Sequence, residues 1–552
     1  MIDTVAKTAT GKNILSPVYE STELLTGEAV LQLLNNVKFQ EQWDNLYDNC
    51  PWATVFQSRS FVAPWYQLYG KESLPILVKT EYAGKLTGLL TLAIDKKWGI
   101  TGAAAGLAEY QAWLTANTND GAFIKKALVE IRKRFPRHPI MIKYLPANTP
   151  LQWAKNDRAW SRYCFVKPYS DPLMLINEQH FTAELKKKNR REKMNRLKRL
   201  GEVKFERITS YPAFASIIDE LILQSDFRKG SRYNKLTFKN EPARKQFLLN
   251  LFEQNILHVT VLKIDNKIIA SNVSIGEKDQ LYLQGINAHA PAFSKHSPGI
   301  IHFLLLGKLL AAEEEVKIFT LTPGEDAYKG ILATGYTTVY TLQVGNKYCR
   351  LTNQLKNSFT RYFKNAASRV GINTHQLKKI KRDIEVYKEK ITAIRKQGYT
   401  SLLTYFLGRL NWRKKKKQCR KIPVSPSSAA AGLLHIQKDN LEDLLNFKRL
   451  ETIYTMQEFL AGAMQRFEEG QHCYSWAENG VLLACVWTTK SSLAEYGYNS
   501  AAGEQPVVLS APYCHPDERS RIPSFLRSVA AKIITDEPNA SVYVVTDKSL
   551  EF

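Results

Sequence analysis

The segment 297–329 holds the residues whose types and spacing are best suited to chemistry. The run Ser297-Pro298-Gly299-Ile300-Ile301 directly precedes an apolar stretch that predicts a helix. Proline is favoured in a first helical turn, where backbone N–H groups lack partners within the helix and the helix dipole is positive. We therefore expect this run to hold a phosphate or pyrophosphate, although an ordinary Ser-Pro helix start has the same sequence.

A second group of reactive side chains follows a predicted strand at 317–321. The stretch 324–330 contains Asp326, Tyr328 and Lys329. Ligands of α/β sheets dock at the carboxyl ends of strands, so these side chains are expected beside the anion site. Tyr328 can donate a proton or a hydrogen bond, and Lys329 can neutralise a phosphate or a developing oxyanion. The alternative is a turn with a solvated lysine.

Other polar residues are weaker candidates. Glu109 and Tyr110 follow a glycine-rich loop, while Asp226 and Arg228 stand at the start of a predicted polar loop. Two histidines flank the predicted helix start, where a structural role is the commoner one. The stretch 185–200 predicts a mostly cationic helix, which can contact phosphates or simply face solvent. P-loop, zinc-protease and serine-hydrolase motifs are missing from the sequence, so those chemistries have no support.

The elements that must position these residues follow an α/β pattern over 552 residues, a length that suggests three or four domains. The second half has predicted helices at 181–200, 211–224, 241–255 and 299–315. Its predicted strands are at 203–208, 257–264, 268–275, 281–286, 317–321 and 337–344. The predicted domains are a flexible N-terminus at 1–35, a first half at 36–175, a second half carrying the active site at 176–349, a basic helical connector at 350–422, a linker at 423–432 and a smaller α/β unit at 433–552.

The positive charge is concentrated in the connector. The whole chain carries a formal net charge of +25, and the stretch 340–421 has 22 Lys and Arg residues against three acidic residues. Such a block indicates an anionic partner, either nucleic acid, anionic lipid or an acidic polymer. Helices are predicted within it at 377–396 and 402–412.

Cysteine usage and hydropathy indicate the cellular compartment. The seven cysteines are scattered and form no CxxC pair, which argues against a disulfide framework and a zinc cluster. The N-terminal residues show no apolar signal region, and no apolar run reaches the ~18–20 residues that span a bilayer. We expect a cytoplasmic protein with reduced thiols and no bound metal.

Several weak motifs occur together in the order typical of one acyltransferase family. They are Glu109-Tyr110-Gln111, the basic helix at 186–201, Lys267-Ile268-Ile269-Ala270, Ser297-Pro298-Gly299, and the run from Gly324 to Tyr328-Lys329. On these motifs, residues 36–345 resemble the GNAT-superfamily acyltransferases of the tandem-domain, cellulose-biosynthesis-associated (CelD/BcsL) branch. The Fem-type peptidyltransferases are more distant relatives.

The resemblance implies an α/β (α+β, mixed-sheet) fold with two GNAT-like halves in tandem. The second half would hold most of the donor and acceptor. The helix start, through Ser297, Gly299, Ile300 and Ile301, would take the pyrophosphate of acetyl-CoA or another acyl-CoA. The usual GNAT phosphate signature, R/Q-x-x-G-x-G/A, is absent from this half, so the donor's identity is left open.

The expected acyl-transfer mechanism assigns the remaining roles. Tyr328, Asp326 or Glu109 would assist proton transfer while Lys329 holds charge. Tyr110, Asp226 and Arg228 would contact the substrate. The C-terminal unit is faintly GNAT-like, but in its run 515–523 the residues Ser520 and Ile522 stand where glycines are expected. We therefore expect that unit to be structural or regulatory.

The leading functional hypothesis is an acyl-CoA-dependent N- or O-acyltransferase, foremost an acetyltransferase, acting on a cell-envelope sugar or a related small acceptor by direct transfer. One alternative is a Fem-like aminoacyl-tRNA-dependent transferase, with tRNA bound through 350–421. Another is an inactive GNAT-like scaffold whose connector binds the anionic inner face of the membrane. The same connector can also localise an active enzyme to that surface.

Overall fold

The structure is a computed structural model that describes residues 20–95, 99–116, 121–324, 326–369, 418–423, 434–448, 455–489, 493–496 and 505–546, with isolated positions between 384 and 392. The chain divides into two compact units. The first comprises Met1–Asp171 and Thr337–Asn357, and the second comprises Pro172–Tyr336 and Ser358–Phe552.

The helices and strands are numbered in chain order. The strands are β1 (Ser21–Thr26), β2 (Pro75–Tyr82), β3 (Lys85–Asp95), β4 (Gly99–Gly102), β5 (Leu114–Thr115), β6 (Ile140–Leu145), β7 (Cys164–Leu175), β8 (Val203–Ile208), β9 (Leu257–Ile264), β10 (Lys267–Glu277), β11 (Gln280–His289), β12 (Ile318–Thr320), β13 (Gly335–Val344), β14 (Gln418–Lys421), β15 (Gln437–Lys438), β16 (Cys473–Glu478), β17 (Val481–Thr489), β18 (Gln505–Cys514) and β19 (Ala540–Thr546). The helices are α1 (Glu28–Leu33), α2 (Val37–Asn49), α3 (Arg59–Tyr69), α4 (Ala122–Arg134), α5 (Gln152–Asn156), α6 (Glu178–Lys186), α7 (Lys188–Lys198), α8 (Tyr211–Tyr233), α9 (Thr237–Asn240), α10 (Ala243–Glu253), α11 (Pro298–Glu313), α12 (Ala327–Leu332), α13 (Cys349–Arg369), α14 (Leu441–Leu445), α15 (Met456–Glu468) and α16 (Ile522–Asp536).

The first unit is built on a mixed sheet in the order β1-β2-β3-β4-β6-β13. Strands β2, β3 and β4 form antiparallel pairs, and α4 then carries the chain back so that β6 lies parallel to β4. Large aromatic side chains such as Trp43, Phe56 and Phe61 are almost completely buried in its core. Burial of this much apolar surface stabilises the helices against the sheet.

The second unit repeats the same succession of elements. Strands β8 to β11 form an antiparallel meander, and α11 leads to β12, which pairs parallel with β11 and antiparallel with the end of β7. The C-terminal residues of this unit form a further sheet in the order β14-β19-β18-β17-β16-β15, where α16 connects the parallel strands β18 and β19. The predicted mixed α/β fold, including the meander and the helix after Ser297, is confirmed.

The N-terminal prediction is wrong for part of its range. Residues 1–35 were expected to be flexible, but Ser21–Thr26 pairs antiparallel with β2 and Glu28–Leu33 is helical. The strand is recruited because the edge of β2 offers a row of backbone hydrogen-bonding groups. Residues 1–19 lie outside the described residues.

The predicted boundaries of the two halves are also corrected. The strand at 337–344 was expected to close the second half, but β13 pairs antiparallel with β6 of the first unit. In the second unit, the strand that pairs antiparallel with β12 is β7. Strand pairing depends on which sheet edge is open, so the neighbour in sequence need not be the neighbour in the sheet.

Two helices differ from their predicted extents. The predicted helix at 181–200 is divided at Lys187, whose ψ of 137° is extended, into α6 and α7. Helix α8 continues to Tyr233 and ends at Asn234 in the left-handed conformation. Asp226 and Arg228, which were placed in a loop, therefore lie within α8.

The predicted connector at 350–422 begins within helix α13. Its end is not helical, because Gln418–Lys421 pairs with β19 in the C-terminal sheet. The predicted helices at 377–396 and 402–412 and the linker at 423–432 fall almost entirely outside the described residues. Among the described residues, no helix is both long enough and apolar enough to cross a bilayer.

The C-terminal sheet domain packs on α8 through α15. The rings of Phe227 and Phe467 are 5.9 Å apart, and Lys239 Nζ donates a 2.7 Å hydrogen bond to Leu445 O. A Cβ added at Gly230 would lie 2.7 Å from a methyl group of Leu460, which shows how closely the two helices approach there. The helix that carries Arg228 is thus held in place by the C-terminal domain.

Candidate functional site

The start of α11 is held by a lysine from the basic helix α7. Ser297 has a left-handed φ of 53° and is followed by Pro298 in the first helical turn. Lys193 Nζ donates a 2.7 Å hydrogen bond to Ser297 Oγ. The two features that were predicted separately, the helix start and the cationic helix, therefore meet at one place in the second unit.

More positive charge surrounds this helix start. Burial, together with Arg190 and Arg196, lowers the pKa of Lys193. Burial, with Lys295 and Arg196, likewise lowers the pKa of His296. Among the described residues, Arg190 Nε and both ring nitrogens of His296 are buried polar atoms without a hydrogen-bond partner. An arrangement of this kind is unfavourable by itself and becomes favourable when an anion binds.

Space for a ligand exists at Gly299. A Cβ added there would meet only His289 Nδ1, at 3.8 Å. The N–H groups of Ile300 and Ile301 donate to Ser297 O over long distances of 3.2 and 3.4 Å. The Ile301 side chain is fully buried in the core, so any contribution of this residue to ligand binding is through its backbone.

Strand β11 departs from regular pairing near its middle. Its parallel pairing with β12 covers only Gln280–Tyr282 opposite Ile318–Thr320. On the other side, the register with β10 is irregular between the pairs Val273–Ile286 and Ile275–Tyr282. The backbone near Gly285, which has a φ of 116°, is therefore displaced from a regular ladder. Such a bulge can direct backbone N–H groups at a ligand.

A group of polar side chains lies near the end of β11. Arg228 Nη1 donates a 2.7 Å hydrogen bond to Asn287 O. Tyr233 OH donates to Asp326 Oδ1 over 3.3 Å, and an Arg232 guanidinium nitrogen is 3.9 Å from the same oxygen. The structure thus brings Arg228 and Asp326 together with two residues, Arg232 and Tyr233, that the sequence analysis missed.

Tyr328 belongs to this group. Its ring stacks on Phe303 with 6.3 Å between centroids. Burial raises the pKa of Tyr328 to about 12, with Asp326 adding to the rise and Arg228 opposing it. The phenol is therefore protonated at neutral pH and able to donate a proton or a hydrogen bond.

His289 lies between the group of polar side chains and the helix start. Its Nε2 is 3.1 Å from Ser294 Oγ. Burial and the nearby charge of Arg228 lower the pKa of His289 to about 4. The ring is thus neutral at physiological pH, and the nitrogen that faces Gly299 belongs to an uncharged imidazole.

Two predicted site residues are hydrogen-bonded within the fold. Lys329 is buried, and its Nζ donates to Thr322 O at 2.9 Å and to Thr322 Oγ1 at 3.2 Å. Asp226 is buried, and its carboxylate accepts from the backbone N–H groups of Phe238 and Lys239 at 2.8–3.1 Å. Lys329 therefore holds the turn after β12, and Asp226 holds the start of α9. Their predicted roles at the site stay predictions.

Glu109 and Tyr110 lie in the first unit, where Tyr110 is a core residue. Tyr110 OH donates a 2.8 Å hydrogen bond to Asp171 Oδ2, and its ring stacks on Phe56 at 5.9 Å. Glu109 contributes to the raised pKa of Tyr144, which burial lifts to about 12. Their predicted roles in proton transfer and substrate contact stay predictions.

Lys193 and Arg190 are the most informative residues that the sequence analysis did not single out. They stood within the stretch 185–200, where one lysine could not be told from another. Tyr233 and Arg232 were missed because α8 was predicted to end at residue 224. Recognising Asn234 as the residue after the helix would have extended α8 and placed both beside Arg228.

Comparison with protein families gives a match within the second half of the tandem. Residues 185–330 match the family described as "Acetyltransferase (GNAT) domain". No curated protein matches the chain by sequence. Within the described residues, no group of three or more His, Cys, Asp or Glu side chains is placed to hold a metal ion.

Several solved structures resemble the chain at low similarity. The C-terminal domain of a putative lysylphosphatidylglycerol synthetase from Agrobacterium fabrum has 14% identity and a TM-score of 0.36, with 56% of this chain and 91% of that one covered. FemX has 10% identity and a TM-score of 0.38, with 55% and 95% covered. A tandem GNAT protein from the clavulanic acid biosynthesis pathway has 12% identity and a TM-score of 0.37, with 58% and 98% covered.

Proposed function

We propose that the protein moves an acyl group directly from an acyl-CoA to an amine or hydroxyl. The premise is that residues 185–330 match the GNAT acetyltransferase domain and that the chain is a transferase. Acetyl-CoA is the donor we favour. The acceptor we favour is a cell-envelope sugar or a related small molecule, by the resemblance to the cellulose-associated branch.

The observation that carries the proposal is the cationic start of α11. A CoA pyrophosphate there would meet the open first turn at Gly299 and the ammonium of Lys193, 2.7 Å from Ser297 Oγ. It would also supply an acceptor for the buried, unpartnered Arg190 Nε. Helix N-termini bind phosphate through backbone N–H groups and the dipole, and charge-assisted hydrogen bonds add to this.

The chemistry follows from the residues beyond the anion site. In the proposed reaction, the acceptor nitrogen or oxygen attacks the thioester carbon, and backbone N–H groups at the β11 irregularity stabilise the oxyanion. The C–S bond then breaks, and the Tyr328 phenol donates its proton to the departing thiolate. The proton lost by the acceptor passes to the Asp326 carboxylate or to water. Tyr233, which donates to Asp326, positions that carboxylate.

A second candidate donor is aminoacyl-tRNA. The observation that favours it is the exposed surface of α7, where Arg191, Arg196 and Lys198 are accessible to solvent. A polyanion would bind this face with an affinity that falls steeply as salt is raised. The connector at 350–421 would add to the same effect.

The test is thermal unfolding in the presence of acetyl-CoA, a longer acyl-CoA or charged tRNA. A ligand at about 100 times its Kd stabilises a protein by about 2.7 kcal/mol. We expect acyl-CoA to raise the unfolding temperature of the wild-type protein but not of Gly299→Glu, because Gly299 has room for a side chain and the added carboxylate repels phosphate.

The matched control is Gly462→Glu. Gly462 is another helical glycine with room for a side chain, since no atom lies within 4 Å of a Cβ added there, but it lies in α15. This variant should respond to acyl-CoA as the wild type does. No stabilisation by any CoA ester would contradict the proposal, and stabilisation by charged tRNA alone would select the second candidate.

A further inference from the structure

Helix α13 carries a stripe of exposed large apolar side chains. Leu351, Leu355, Phe359 and Tyr362 are 56%, 62%, 66% and 71% exposed. Their spacing of four, four and three residues places them along one face of the helix. A stripe of this kind is unusual on a protein surface, where exposed large apolar residues are normally single.

Cations border this stripe. Residues 349–369 contain five Lys and Arg residues and no acidic residue. At 3.6 residues per turn, Arg361 and Lys356 lie roughly 110° to either side of the centre of the stripe. Arg369 lies in line with it at the C-terminal end. The helix is therefore amphipathic, with an apolar face between cationic edges.

The first turn of α13 is anchored in the first unit. Cys349 is buried, and Arg350 N donates to Arg162 O over 3.4 Å. From this anchor the stripe extends along the next three turns, starting at Leu351. The helix is thus fixed at one end, and the apolar stripe is exposed from Leu351 to Tyr362.

We propose that α13 binds an anionic membrane surface by lying in the plane of the interface. The stripe enters the boundary between headgroups and acyl chains, while the flanking cations meet lipid phosphates. Charge and shape favour this occupant over others. Nucleic acid would match the cations but leave the stripe exposed to water, and a second copy of α13 would bring together two helices of like charge.

The inference does not depend on the chemistry of the transferase domain. It places that domain at a membrane surface, where acceptors attached to lipid are concentrated. Because vesicle binding needs neither acyl-CoA nor turnover, its failure can be distinguished from failure of the proposed reaction.

The test is flotation of the full-length protein with phosphatidylcholine vesicles that contain or lack phosphatidylglycerol. We expect the wild-type protein to float with the anionic vesicles and to remain largely unbound with the neutral ones. Leu355→Glu combined with Phe359→Glu should lose at least about tenfold in bound fraction. Arg361→Gln combined with Arg369→Gln should weaken binding to the anionic vesicles, and added salt should do the same.

The matched control is Val37→Glu combined with Tyr82→Glu. These residues are exposed apolar side chains of the first unit, 65% and 53% exposed, and lie outside α13. The control variant should float as the wild type does, and circular dichroism should show all variants folded. The proposal is overturned if the wild type does not float, if the stripe variant floats normally, if the stripe mediates a dimer instead, or if α13 variants lose only tRNA binding.

Discussion

Replacing Lys193 with methionine separates ligand binding from folding. Methionine keeps most of the side-chain length but removes the charge and the 2.7 Å hydrogen bond to Ser297 Oγ. A hydrogen bond to a charged group contributes about 1.5–3 kcal/mol. If Lys193 binds the donor's phosphate, the Kd for acyl-CoA should rise about 10- to 150-fold, since each 1.4 kcal/mol is a factor of ten.

The effect on the stability of the free protein should be much smaller than the effect on binding. The pKa of Lys193 is lowered by burial and by Arg190 and Arg196, so the protonated form costs stability in the absence of a ligand. That cost is present below the folded-state pKa and is relieved as the pH rises through it. Lys193→Met relieves this cost but also loses the hydrogen bond to Ser297 Oγ, so the two effects oppose each other and its stability at neutral pH should be close to that of the wild type.

The same pKa predicts how binding depends on pH. A bound phosphate stabilises the ammonium form, so affinity for acyl-CoA should fall as the pH rises through the lowered pKa of Lys193. The Lys193→Met variant should lack this fall. Calorimetric titration with acyl-CoA at several pH values measures both quantities.

The matched control is Lys198→Met, on the same helix. Lys198 is exposed, and its removal lowers the net charge by the same unit. Its effect on affinity should be less than about twofold at moderate salt, because exposed charges are screened over about 8–10 Å. The reasoning about the helix start is refuted if the two variants bind acyl-CoA equally well.

Four further expectations follow from the described contacts. Tyr328→Phe should lower kcat by about 10²–10⁴-fold with little change in the KM for acyl-CoA, and an unchanged kcat would remove the phenol from the proton-transfer step. Lys329→Met should lower the free energy of unfolding by about 1–3 kcal/mol, because both acceptors on Thr322 lose their donor. A variant as stable as the wild type would contradict the structural role. Leu460→Ala should lower the free energy of unfolding by about 2–5 kcal/mol and should lower turnover as well, since Leu460 packs against the helix that carries the polar group. Turnover equal to that of the wild type would show that the C-terminal domain does not position α8. Burial lowers the pKa of His302 to about 4. The free energy of unfolding should therefore fall as the pH drops from ~6.5 towards 4, because the unfolded chain takes up the proton first. In urea titrations, His302→Gln should lessen this fall.

The strands and the start of α11 were predictable because local sequence controls them. The meander alternates apolar strands with short turns, which lie at Asp265-Asn266 between β9 and β10 and at Lys278-Asp279 between β10 and β11. Pro298 cannot donate a backbone hydrogen bond, so it marks a helix start in any context. The core-facing periodicity of α4 and α16 is similarly local.

The roles of single lysines and aspartates were not predictable in the same way. Lys193 and Lys329 are chemically identical, yet one lies at the helix start and the other is buried against Thr322. Asp226 holds a turn twelve residues away, a contact that needs α8 to continue past its predicted end. Burial and partner decide what an ionisable group does, and both are properties of the packed chain.

The sequence by itself determined the mixed α/β character, the helix start at Ser297-Pro298, the excess of positive charge and the resemblance to GNAT acyltransferases, because these depend on composition, periodicity and short motifs. Only the tertiary structure decided that β13 pairs with β6 and that Lys193 reaches Ser297. It also decided that Arg228 and Asp326 lie in one group with Tyr328. The buried position of Lys329 against Thr322 was likewise set by the packed chain. These arrangements join residues far apart in the chain. Their free energy comes from surfaces and charges that meet only once the chain has packed, so no local pattern records them.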